Sequence, residues 1–255
     1  MLEMLEKQEA FETERSVFPS LSTFIEQMDS NLLKSYQKLV PSSIEYLQRI
    51  NDENKLLFLI DQTEQFLSQF DLDAFRARIA LIKLTYLYYK NDSIYSKIQK
   101  RIEQKAGANA QEQLKSIYFF NDSQNEIKKI VQLVQLHGQP KMRVKATLLQ
   151  IYHLALHNNV IVARDLLKKT HIGSMISMQT TENQILYNRA LAQIGMAYFR
   201  LGKIELSHEV LVEIFQNMRF RELLAQGIGR NFEKSAEQEA EEKRRLIPAH
   251  MAINL

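Results

Sequence analysis

The sequence predicts an all-α chain, a solenoid of stacked antiparallel helical hairpins, on three observations. Gly and Pro number only seven and four in 255 residues, too few for the frequent turns of a sandwich or barrel. Apolar residues recur three and four apart, as in Ile127, Ile130, Val131 and Val134, or Leu148, Ile151, Tyr152 and Ala155, so each set forms one helix face. Two hairpin-length segments, residues 144–170 and 188–214, also align with each other.

Taken in order, residues 1–20 form an acidic segment, with five Glu against Lys7 and Arg15, expected to be partly disordered or helical. A helical-repeat domain is expected over 21–229. Its breaks fall at turn chemistry: Phe18-Pro19-Ser20, Val40-Pro41-Ser42-Ser43, Asn91-Asp92-Ser93, Asn121-Asp122-Ser123, His137-Gly138-Gln139-Pro140 and His157-Asn158-Asn159. Such short connections favour antiparallel neighbours. The polar stretch near 102–116, IEQKAGANAQEQLKS, predicts a flexible insert. Residues 230–255 predict a charged helix, five acidic and five basic side chains over 230–245, leading into the start of a further, truncated repeat.

In the internal alignment Ile151 meets Gly195, Leu154 meets Tyr198, Asn158 meets Gly202, Ala163 meets Ser207 and Leu167 meets Leu211. Small residues stand where helices must approach closely. The second copy, LAQIGMAYFRLGKIELSHEVLVEI, looks like a tetratricopeptide repeat, and hairpins of that kind need neighbours to bury their remaining apolar faces.

The absence of cysteine removes disulfides, thiol nucleophiles and the usual ligands of structural zinc, and it suits a reducing, cytoplasmic setting. The longest purely apolar run, Leu56 to Ile60, is far shorter than the roughly twenty residues that cross a bilayer. His153 and His157 stand four apart, as in a zinc-protease pair, with His171 as a speculative third ligand. No glutamate follows the first histidine to serve as base, so packing or capping is the favoured reading over a metal-dependent hydrolase. Gly227 and Gly229 read as a helix cap rather than a phosphate loop. Tyr86, Tyr88, Tyr89 and Tyr95, followed by Lys97, Lys100 and Arg101, fit hairpin packing better than RNA stacking. Lys141, Arg143, Lys145, Lys168 and Lys169 cluster near hairpin ends and are the candidates for RNA or partner contact, although a solvated face explains them more simply. No catalytic residue, cofactor or metal is expected.

Several stretches resemble one family. These are LVPSSIEYLQRI, YLYYKND, RVKATLLQIYHLALHNNVIVARDLL, QILYNRALAQIGMAYFRLGK, RELLAQGI and EQEAEEKRRLIPAHMAINL, in that order along the chain. They are similar to the c subunit of the eukaryotic translation initiation factor three complex. The resemblance implies a non-enzymatic helical-repeat arm leading into a PCI domain with a winged helix. It further implies partnership with other subunits, the a subunit above all, and with the small ribosomal subunit, in initiation and start-codon selection. Contacts to initiation factors one and five are expected only through a long N-terminal tail that these residues do not contain. Where the family is expected to carry a second histidine in His-x-His-Ile-Asn-Leu, this chain has Ala252. The alternative is a helical-repeat/PCI scaffold of the proteasome lid or signalosome, against which the IYHLALH stretch argues.

Overall fold

A computed structural model describes residues 21–70, 72–104, 118, 122–216 and 245–253, and among these residues there are helices and turns but no strand. Helix α1 covers 21–38. It is followed by α2 (Ile44–Leu67), α3 (Asp73–Leu87), α4 (Asp92–Gln104), α5 (Ser123–His137), α6 (Pro140–Leu156), α7 (Val160–Lys169), α8 (Ile172–Met175), α9 (Thr181–Arg200) and α10 (Ile204–Gln216).

The helix starts follow from side chains that satisfy otherwise unpaired amides. Ser43 Oγ accepts from the Tyr46 amide at 3.2 Å, Asp122 Oδ1 from the Asn125 amide at 3.1 Å, and Thr180 Oγ1 from the Asn183 amide at 3.4 Å. Pro140 opens α6, where its missing N–H costs nothing. The break between α2 and α3 carries neither Gly nor Pro, and turn chemistry does not predict it. Here Ser68, Gln69 and Phe70 close the helix by hydrogen bonds to Glu64, Phe66 and Leu67.

Antiparallel neighbours pack in series, α2 on α3, α5 on α3 and α6, α6 on α7, and α9 on α10, with α9 also against α6. One continuous apolar core results, running from Ile25 and Leu57 through Leu84 and Leu148 to Ile194 and Val210. The internal repeat is geometrical as well as textual. Asn158 and Gly202 both adopt positive φ, 62° and 73°, and end their helices with matching bonds: Asn159 N–H to Leu154 carbonyl at 2.9 Å, and Lys203 N–H to Tyr198 carbonyl at 3.0 Å. At Gly195 a Cβ would lie 2.7 Å from the Leu211 side chain, and Ser207 Oγ donates to the Gly195 carbonyl at 2.8 Å. Those two contacts bring α9 and α10 close together.

Helix α4 continues to Gln104, beyond the start expected for the insert. The acidic segment 1–20, the rest of that insert, the Gly227–Gly229 pair and the charged helix over 230–244 lie outside the described residues. Residues 246–253 run as an extended strap with one tight turn, Ala249–Met251. The strap returns to α2, where the Tyr46 hydroxyl meets His250 Nδ1 at 2.8 Å.

Candidate functional site: a basic hairpin end and a polar interior

The five basic candidates lie toward one end of the α6–α7–α9 layer, where α6 and α9 begin and α7 finishes. Lys145 Nζ pairs with Glu182 at 2.5 Å, and Asn183 Nδ2 donates to the Lys141 carbonyl at 3.5 Å, which ties the first turns of α6 and α9 together. Arg143 Nε donates to the Gly138 carbonyl at 2.8 Å and closes the α5–α6 turn. Lys168 and Lys169 occupy the last turn of α7, where the helix dipole favours cations, and Lys168 borders a shallow depression with His171 and Tyr187. Lys141, Lys168 and Lys169 are exposed and have no acidic partner among the described residues. Arg143 is exposed as well, with its Nε engaged at the turn.

The histidine pair is internal. His153 is 1% exposed; its Nδ1 lies 3.1 Å from the Tyr88 carbonyl and its Nε2 lies 2.8 Å from Ser123 Oγ. Ser123 donates to Asp92 Oδ2 at 2.8 Å, and His157 Nδ1 lies 3.0 Å from the His153 carbonyl. This set holds the ends of α4, α5 and α6 together. A hydrolytic triad places histidine between acid and nucleophile within reach of substrate, whereas here a buried serine stands in the middle. Burial, reinforced by neighbouring His157, lowers the His153 pKa to about 4, so it is neutral at physiological pH. The described residues contain no group of three or more metal-ligating side chains.

The tyrosine cluster is also consumed by packing. Tyr86 and Tyr88 are buried, the Tyr86 hydroxyl donates to Asp29 Oδ1 at 2.6 Å, and Tyr89 donates to both Glu53 oxygens at 2.9 and 3.0 Å. Lys90 Nζ sits 5.6 Å from the Tyr95 ring centroid.

Sequence reasoning missed the residues that dominate the interior. Lys83 is buried and bridges Asp61 at 2.8 Å and Glu126 at 2.5 Å, joining α2, α3 and α5. Burial alone would weaken its charge, but the two carboxylate hydrogen bonds outweigh it and raise its pKa. Lys90 pairs with Glu53 at 2.7 Å, both side chains almost fully buried. Burial works to raise the Glu53 pKa, yet His250 and Lys90 together hold it below the ordinary value. Arg189, fully buried on α9, donates Nη2 to the Tyr88 hydroxyl at 3.2 Å and to the Met251 carbonyl at 2.5 Å, with its guanidinium 5.6 Å from the Tyr152 ring centroid. Lys83 and Asp61 border an open surface depression with Glu64, Ser68 and Arg76, while Glu53, Lys90 and Arg189 are buried; each of these charges ties separate parts of the fold together.

Comparison with known proteins finds one family. Residues 3–255 match the family model described as the N-terminus of eukaryotic translation initiation factor 3 subunit 8. The chain is 35% identical over 236 residues to the C subunit of eukaryotic translation initiation factor 3 from Culex quinquefasciatus, covering 91% of this chain and 25% of the relative. It is 34% identical to the same subunit from Bombyx mori over 238 residues, covering 92% and 25% of the two chains. Against the Debaryomyces hansenii protein of that name it is 32% identical over 250 residues, covering 94% and 28%. The chain spans about a quarter of the length of these relatives.

Proposed function

Because the chain belongs to the family of the C subunit of eukaryotic translation initiation factor 3, we infer that it is a non-enzymatic scaffold of that factor. It acts in the cytoplasm, joins the other subunits, the a subunit foremost, and docks on the small ribosomal subunit during initiation and start-codon selection. The observation that carries this reading is the division of labour among its polar residues. The interior acids, histidines and tyrosines are spent on holding helices together, while Lys141, Lys168 and Lys169 face outward at one end of the layer. An array of hairpins presents edges and an extended surface to partners, which is how a solenoid binds without catalysing.

Ribosomal contact through those lysines carries a salt signature, since each phosphate neutralised releases counterions. Replacing Lys141, Lys168 and Lys169 together by Gln is expected to weaken co-sedimentation with small ribosomal subunits and to reduce the slope of log affinity against log salt by roughly two. Unchanged affinity at every salt concentration would remove these lysines from the interface.

A further inference from the structure

The segment 245–253 leaves the hairpins and crosses the opening between the first helices and α9. Its anchors are specific. Gln37 on α1 donates to the Leu246 carbonyl at 3.5 Å, and the Met251 side chain is 5% exposed within the core. The His250 ring stands among three tyrosines, from α1, α2 and the turn after α3, with centroids 4.9 Å from Tyr36, 5.8 Å from Tyr46 and 5.7 Å from Tyr89. Glu53 Oε2 lies 3.3 Å from His250 Nε2, and the Tyr46 hydroxyl lies 2.8 Å from Nδ1 while accepting from the His250 amide at 3.5 Å. The Tyr46 hydroxyl thus meets the ring at Nδ1 and the backbone at the His250 amide, while Nε2 approaches Glu53 without a hydrogen-bond partner among the described residues. Burial keeps the hydroxyls of Tyr36, Tyr46 and Tyr89 protonated, with the Glu53 charge adding to the effect at all three.

One residue further on, the Met251 carbonyl meets Arg189, whose Nε and Nη1 find no acceptor among the described residues. Withdrawing the strap would leave that buried guanidinium with the Tyr88 hydroxyl and the Tyr152 ring face. Beneath the strap runs a groove of about 370 Å³, lined in part by Leu81, Ile82, Leu149, Ile185 and Leu186.

We infer that residues 245–253 form an intramolecular latch, with His250 seated in a socket of Tyr36, Tyr46, Tyr89 and Glu53 and the Met251 carbonyl on Arg189, clasping α1–α3 to α9 and covering the groove between them. Its occupant is the chain's own segment.

The lack of cysteine allows a direct test by spin labels at Lys55→Cys and Ala252→Cys in the whole chain. A docked strap gives one narrow distance distribution. Adding His250→Ala is expected to broaden it toward longer distances and to speed amide exchange over 249–252 by about tenfold or more, with protection in α5 and α6 unchanged. His250→Gln, which retains a side-chain donor, should restore part of the narrow population. The same narrow distribution in His250→Ala and in Arg189→Met would overturn the latch. A dipolar signal from mixed singly labelled copies would assign the strap to a second molecule and overturn its intramolecular character.

Discussion

The α6–α7 and α9–α10 hairpins and the α2–α3–α5 region share one architecture but are held together differently. In the two hairpins, small residues admit neighbouring helices, Gly195 against Leu211 and Ala163 at zero exposure, and left-handed residues close both turns. In the α2–α3–α5 region, buried ions do comparable work: Lys83 between Asp61 and Glu126, and Lys90 on Glu53. The first mode repeats and depends on the size of its residues. The second is particular to its partners and fails when one of them is lost, because a stranded buried charge costs more than the pair contributes.

The largest effect expected from breaking this comparison is at Glu53. Glu53→Ala strands Lys90 and is expected to cost about 3–5 kcal/mol in urea denaturation. The double variant Glu53→Met with Lys90→Met should recover most of that loss, and failure to recover would mean the ion pair contributes more than mutual neutralisation. Next comes His153, whose neutral folded form contrasts with an unfolded histidine that binds its proton near pH 6.5. Its pKa is depressed to about 4 in the fold, so the unfolded state takes up more protons between those values. Stability therefore falls as pH drops through that window, by about 3 kcal/mol in all. The slope measured in chemical denaturation should flatten in His153→Leu.

In the hairpin pair, Gly195→Ile places the first copy's residue in the second copy and is expected to cost about 1–3 kcal/mol through overpacking on Leu211. A shortened neighbour, Leu211→Ala in the same chain, should relieve part of it. The smallest effect is at the turns. Gly202→Asn, which copies Asn158 into the equivalent left-handed position, should change the thermal midpoint by no more than a degree or two, whereas Gly202→Val is expected to cost about 1–2 kcal/mol.

This contrast also explains what was legible in advance. Periodicity and turn residues are local, so the helices, most breaks and the aligned hairpins could be read from residues such as Ile151, Gly195 and Gly202. The break after Leu67 could not, because its carbonyls are satisfied by backbone bonds that need no special residue. For His153 and His157 the spacing was legible but their partners were not, since Ser123 and Tyr88 lie 30 and 65 residues from His153. Nothing near Glu53 announces that Tyr89, Lys90 and His250 converge on it. Among the basic candidates, Arg143 and Lys145 are engaged locally, a fact that depends on where the Gly138 carbonyl and Glu182 fall in three dimensions.

The central claim is that this family member works by holding partners rather than by chemistry, and reconstitution tests it most directly. The tagged chain is mixed with purified subunits of initiation factor 3 and, separately, with proteasome-lid and signalosome subunits, and its binding is measured at moderate salt. Binding to the initiation-factor subunits alone is the predicted result. Binding to the lid or signalosome set instead, or to neither set, would contradict it.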